Sequence, residues 1–339
     1  MKTKYKSFVR PQRQPSSAAC KVAAILLFGV LASFAQTNMY LYTGSKTNIT
    51  LSAGIYNITA YGAQGGVGGY MTADHGGLGA EMSGVFSFSS MTTLTLLVGG
   101  AGTTDFRNGG GGGGGGSFVI NNGSTPLVIA GGGGGGGAYN NASDANGGNG
   151  LISGGSGVGG NDGGGYGGGG GGGYNGNGTN GGGAYGGSGA GSSFLNGGGG
   201  GNADGGYGGG GGGDGDIQGG GGGGGGGYSG GDGGGWQLGG AGGSSYIDSS
   251  AITNLAEISG IASPIGSPNG EIIISSVSIF LPVISIDPVT NAEILTWSDP
   301  TFSLQTAPNI NGIFTNIPGA FSPYTNSITW PQQFFRLEK

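Results

Sequence analysis

Residues Gly111–Tyr139 read GGGGGGSFVINNGSTPLVIAGGGGGGGAY. Two glycine runs flank the apolar segments Ser117-Phe-Val-Ile120 and Leu127-Val-Ile-Ala130, with turn residues at Asn121–Pro126 between them. β-branched and aromatic residues without a helical period read as a β-hairpin. Similar runs recur at Gly167–Gly173, Gly208–Gly213 and Gly219–Gly227. From Gly109 to Gly243 the chain carries six Asp and no Lys, Arg, Glu or His. Glycine has neither a side chain to bury nor a functional group. The region therefore acts through its backbone and through the few aromatic and polar residues between the runs.

Two readings of the runs compete. A flexible low-complexity linker is one. Ordering a residue costs roughly 1–2 kcal/mol of backbone entropy, and a net hydrogen bond returns only about 0.5–1.5 kcal/mol, so an isolated run stays disordered. The other is a bundle of extended left-handed helices with three residues per turn. Such a helix has no internal hydrogen bonds, and without Cβ atoms its neighbours approach closely enough to bond to one another. The similar run lengths, the aromatics that close several of them (Tyr174, Tyr207, Tyr228) and the strands on both flanks favour the bundle.

Those flanks read as antiparallel β. Before the glycine region come Met39–Thr43, Asn48–Leu51, Gly54–Tyr61, Glu81–Phe88 and Thr93–Val98; after it come Ser244–Ile247 and Gly270–Val277. The boundaries follow: a β frame at 38–107 and 244–278 around a polyglycine insert at 108–243, together a glycine-rich domain at 36–280. A mainly β composition returns in a small C-terminal module at 281–339, with Trp297, Phe302, Phe314, Trp330 and Phe335 as its core candidates.

The N-terminus reads as a signal peptide over residues 1–35. Lys2, Lys4, Lys6, Arg10, Arg13 and Lys21 precede the apolar run Val22–Ala35, which is shorter than a bilayer span and ends in Ser33-Phe-Ala35. Cys20 precedes the apolar run, which excludes lipidation at that residue. The expected location is secreted, extracellular or cell-surface, with membrane association only if the segment stays uncleaved. Beyond residue 35 the chain keeps four basic residues against all sixteen acids, a net charge of −12. Phosphate backbones are bound by Lys and Arg, so nucleic acid is not an expected partner.

With GIYNITAYGAQGGVGGY (Gly54–Tyr70), YGGGGGGGY (Tyr166–Tyr174), GGGGGGGYSGG, AGGSSYI and NGEIIISSV (Asn269–Val277), Gly111–Tyr139 resembles the glycine-rich extracellular domain of the anaplastic lymphoma kinase and leukocyte tyrosine kinase receptors. Secreted bacterial glycine-rich proteins carry similar domains. The resemblance covers about Asn38–Val277. It implies a jelly-roll-like β-sandwich framing a glycine-rich insert of polyglycine II helices, and in the receptors such a domain binds protein ligands outside the cell. The receptors' cysteines are missing here. Ala292–Lys339 resembles a small β module at the C-terminus of secreted bacterial proteins.

The receptors' kinase does not transfer. The sole histidine, His75, is followed by Gly-Gly, Asp105-Phe106 by Arg107, and the glycine region offers no Lys for phosphates. G-x-G-x-x-G recurs by composition, outside any strand–turn–helix context. Gly212-Gly-Asp-Gly-Asp-Ile217 resembles a calcium-binding repeat with its Asp one position early, leaving Asp214 and Asp216 as weak Ca²⁺ candidates beside the reading of solvated turn acids. No catalytic residues and no cofactor are expected.

The aromatics of the glycine region are the candidate binding residues: Tyr166, Tyr174, Tyr185, Tyr207, Tyr228 and Trp236, with Tyr139 beside them. Tyr and Trp supply contact area with a polar handle, suited to a sugar ring or a protein surface. The competing role is to cap the bundle by covering helix ends. Three functions follow: a secreted structural or adhesive protein, a receptor-like ectodomain binding a protein or glycan, and a secreted enzyme acting on polysaccharide.

Overall fold

Alternation along the strand segments separates a core face from an outer face, and the burial of each strand records it. The structure, a computed structural model, describes residues 36–69, 75–104, 109–138, 147–153, 155–182, 188–202, 204–214, 219–277, 284–289, 292–297, 299–327 and 332–338. The expected signal peptide, residues 1–35, lies outside them. The chain divides between Ser278 and Ile279 into two compact units.

The first unit holds β1 (Thr37–Leu41), β2 (Thr47–Leu51), β3 (Gly54–Tyr61), β4 (Gly79–Phe88), β5 (Thr92–Leu97), β6 (Ser117–Asn121), β7 (Thr125–Ala130), β8 (Tyr246–Ile247), β9 (Thr253–Ile261) and β10 (Glu271–Ser276). They form two antiparallel five-stranded sheets, ordered β1-β10-β3-β4-β9 and β2-β5-β6-β7-β8. Ile58, Met82, Phe86, Ile272 and Ile274 from the first sheet and Leu94, Leu96, Val119 and Val128 from the second share one buried core, which makes the pair a β-sandwich. The last strand, β10, lies between β1 and β3, whereas β3–β4 and β5–β6–β7 pair sequential neighbours. β9 was not among the expected strands: it is a sheet edge, largely exposed, and its apolar residues do not alternate cleanly.

The glycine runs form the expected bundle. Along Gly109–Gly116, successive amides turn to three neighbours and return to the first at every third residue. Gly110, Gly113 and Gly116 donate to Asp214, Gly211 and Gly208. Gly111 and Gly114 donate to Gly136 and Gly133, and Gly112 and Gly115 donate to Thr103 and Gly100. Carbonyls of the same run accept from Gly66 and Ala63, from Gly206, and from Gly223 and Gly226. The period of three is that of the extended left-handed helix, which spends no hydrogen bond on itself and so offers all of them to its neighbours. Gly219–Gly227 repeats the pattern, with Gly221, Gly224 and Gly227 donating to Tyr166, Gly169 and Gly172.

Spacing explains the composition. A methyl group on Gly113 would overlap the carbonyl of Gly224, one on Gly223 that of Gly211, and one on Gly134 that of Gly240. The lattice also extends beyond residues 108–243. Gly62, Gly65 and Gly68 each press on a carbonyl of the Gly131–Gly137 run and Gly66 on that of Thr103, while Ala63, Gln64 and Val67 fill the remaining positions. Glycine at the crowded positions alone is thus enough to admit a mixed segment.

The second unit contains β11 (Ser285–Val289), β12 (Ala292–Thr296), β13 (Ser303–Ala307), β14 (Thr315–Asn316), β15 (Tyr324–Ser327) and β16 (Phe334–Glu338). Two three-stranded sheets, β11-β12-β15 and β14-β13-β16, enclose Leu295, Trp297, Leu304, Phe335 and Leu337. Trp297 and Phe335 are core residues as expected, Phe302 packs against them, and Phe314 lies under the Arg336 guanidinium at 4.6 Å. Trp330 lies outside the described residues.

Two substitutions test the lattice. Gly113→Ala should destabilise the protein by about 3 kcal/mol or more, at or beyond the upper end of ordinary overpacking costs, because rigid backbone blocks the methyl. Gly235→Ala, whose nearest neighbours would be 3.6 Å away, should change stability by less than about 1 kcal/mol. Denaturant melts of both variants distinguish this lattice from a flexible linker, in which the two changes would have equal effects.

Candidate functional site

The bundle has a near end against the sandwich and a far end away from it. At the near end several arriving runs finish on an aromatic, as at Tyr174, Tyr207 and Tyr228. β6 and β7 are buried on both faces: Val119 and Val128 enter the sandwich core, while Phe118, Ile120 and Ile129 point the other way. Tyr174 and Phe194 cover that second face with Leu97, and Tyr207, Tyr228 and Tyr246 pack around them. The rings follow one another: Phe118–Phe194 at 5.1 Å, Phe194–Tyr174 at 5.7 Å, Tyr174–Tyr228 at 6.5 Å and Tyr228–Tyr246 at 4.7 Å. Lys46 Nζ sits 3.9 Å from the Phe194 ring centre, and the Tyr174 hydroxyl donates to the Ser124 carbonyl in the β6–β7 turn.

This placement corrects the reading of Tyr174 as a surface contact residue. It is only 7 % exposed. Tyr207 and Tyr228 are half-buried in the same layer. The reason lies in β6 and β7, whose continuous apolar runs need cover on both sides. These three aromatics therefore take the capping role.

The far end is different. Tyr166 is 43 % and Trp236 56 % exposed, and Leu238 beside them is exposed too. The Gly167 amide closes a turn on the Gly164 carbonyl, and the Leu238 amide closes another on the Gly235 carbonyl. The third residue of each turn is left-handed: Tyr166 at φ 61° and Gln237 at φ 60°. Consecutive lattice amides hold the two turns together, Gly221 donating to Tyr166 and Gly222 to Leu238.

The approach to each turn is similar. Asp162-Gly-Gly-Gly-Tyr166 and Asp232-Gly-Gly-Gly-Trp236 share one spacing. Their helices lie side by side and parallel, since the Gly230 amide meets the Val158 carbonyl and the Gly233 amide that of Asn161. Asp232 Oδ1 accepts from the Asn161 amide at 2.7 Å, and Asp162 accepts from Gly164 N and Thr179 Oγ1, both at 3.3 Å. Both carboxylates are exposed. The far end thus combines two exposed aromatic side chains with fixed acceptors, an arrangement able to stack on a ring and bond its hydroxyls.

Tyr139, Tyr185 and Asp216 lie outside the described residues. Asp214 is buried at the end of a lattice helix, its amide on Gly221 and its carbonyl under Gly110, so it is not a solvated turn acid. Among the described residues no group of three or more His, Cys, Asp or Glu side chains could hold a metal ion. The chemistry that sequence reasoning missed is the pair of aspartates before Tyr166 and Trp236. Their repeated spacing to an aromatic was its visible signal.

The aromatic layer makes stability depend on pH. The Tyr246 hydroxyl is pushed up to about 12 by burial first, then by its hydrogen bond to Asp248 and that carboxylate's charge. Burial also raises Tyr174 and Tyr207. The folded state holds these protons more tightly than the unfolded chain, where tyrosine titrates near 10. The Tyr246 contribution is therefore complete below about pH 10 and is lost as pH rises through about 12. Melting temperatures should fall across that window, and less steeply in Tyr246→Phe. At neutral pH Tyr174→Ala should cost about 3–5 kcal/mol, as for a buried aromatic. No family model and no curated protein matches the chain.

Proposed function

We propose that the chain is a secreted or cell-surface structural and adhesive protein, non-catalytic, whose glycine lattice presents the Tyr166–Trp236 end to an extracellular glycan or protein surface. One observation carries the reading. In a chain of 95 glycines, the left-handed turn position at residue 166 holds an exposed tyrosine. That conformation favours glycine and costs another residue roughly 1–2 kcal/mol. Strain kept where glycine was at hand points to a side chain retained for contact.

The likeness to the receptors' glycine-rich domain supports a second form of the same proposal, a receptor-like ectodomain binding a single partner. A sandwich joined to a polyglycine bundle is the architecture that the likeness implies. The Asp162–Tyr166 and Asp232–Trp236 pairs favour a glycan, because a sugar offers both an apolar face and hydroxyl donors.

Tyr166→Gly and Trp236→Ser test the proposal. Together they should reduce binding to cells or to an arrayed glycan panel on the order of tenfold or more, as for exposed Tyr and Trp anchors. The melting temperature should stay unchanged or rise, since Tyr166→Gly relieves the backbone. Undiminished binding would refute the far end as the contact surface.

A further inference from the structure

The outer face of the first sheet carries a buried carboxyl group that the lattice and the aromatic layer do not use. Glu271 opens β10 and is 0 % exposed. Its Oε2 accepts from Ser263 Oγ at 2.8 Å, while its Oε1 has no hydrogen-bond partner. The register places Glu271 opposite Tyr61 on β3, and Tyr61 opposite Glu81 on β4. The next residues in that row, Ile272, Ala60 and Met82, enter the sandwich core, so Glu271, Tyr61 and Glu81 share the opposite face. Neighbouring strands are about 4.8 Å apart, which sets two carboxylates on either side of one phenol.

The electrostatics agree with that geometry. The Tyr61 hydroxyl is held well above the usual tyrosine range, by burial first, then by Glu81 through charge and a hydrogen bond, and then by Glu271. Both acids therefore act on the same small volume. Lys46, the one lysine or arginine among the described residues of this unit, is engaged elsewhere, on the Phe194 ring and carbonyl. A buried carboxylate without a partner is costly unless it meets a cation or takes up a proton.

We propose that Glu271, Glu81, the Tyr61 hydroxyl and Ser263 form a binding site for a hard divalent cation, Ca²⁺ in preference. All four offer oxygen, the donor that Ca²⁺ selects, and the orphaned Oε1 supplies a free ligand atom. Two carboxylates fall short of a full protein cage, so water completes the coordination and the affinity is low. A Kd on the order of 10⁻⁴–10⁻³ M, as in extracellular calcium modules, is expected. Ser263 also lines a small cavity with Gly62, Gln64, Leu78, Gly79 and Pro268, so one of the four proposed ligands borders open space. The bound ion ties the β9–β10 connection, through Ser263 and Glu271, to β3 and β4.

The test uses the purified full chain at neutral pH, with CaCl₂, MgCl₂ or EDTA. Ca²⁺ should raise the melting temperature by several degrees over EDTA, with Mg²⁺ less effective. Glu271→Gln should abolish the Ca²⁺ response, and Glu81→Gln should weaken the apparent affinity tenfold or more. Tb³⁺ luminescence excited through tyrosine should appear in the parent protein, be displaced by Ca²⁺ and be lost in Glu271→Gln. If Glu271→Gln does not fold, Glu81→Gln carries the same Tb³⁺ and melting comparison. A melting temperature indifferent to Ca²⁺, with Glu271→Gln as stable as the parent in EDTA, would overturn the proposal.

Discussion

Everything in the first unit depends on the hydrogen bond between neighbouring polyglycine helices. A helix with no internal bonds must find a partner for each amide and each carbonyl in another segment, and glycine alone lets those segments come close enough. Gly113 illustrates the limit, with the Gly224 carbonyl where a Cβ would stand. One such helix gains nothing, because the entropy of ordering it exceeds what a few bonds return. The lattice forms as a whole or not at all.

Such a lattice buries no apolar side chain of its own, so it must be anchored by something that does. The anchor is the doubly buried pair β6 and β7. One face completes the sandwich core, and the other receives Phe194, Tyr174 and their neighbours from the ends of the glycine runs. The stacked rings join two kinds of cohesion: hydrophobic burial on the sheet side and backbone hydrogen bonding on the bundle side. Lys46 over Phe194 closes the edge of that joint.

Most of the frame could be read from the sequence because alternation and β-branched residues signal strands locally. Gly54–Tyr61 coincides with β3, and the hairpin around Asn121–Pro126 is β6 and β7. β9 escaped because an exposed edge strand needs no regular apolar period. The share of Gly62–Gly68 in the lattice escaped because its glycines are interspersed with Ala63, Gln64 and Val67 instead of forming a run. The site was partly legible. Tyr166 and Trp236 stood out as aromatics, but sequence could not separate them from Tyr174, whose burial follows from the second apolar face of β6. The left-handed backbone at Tyr166 and Gln237 and the pairing of the two turns became visible only when two distant segments were seen to lie in parallel.

The lattice also governs how such a protein can change over generations. A position that tolerates no side chain cannot drift, and most residues between the two ends are of that kind. The turns at the far end are free of that restriction: a methyl group on Gly235 would make only ordinary contacts, and Tyr166 and Trp236 already depart from glycine. Variation is therefore channelled to one end of the molecule. A lineage could exchange what it recognises there, turn by turn, while the interior stays fixed.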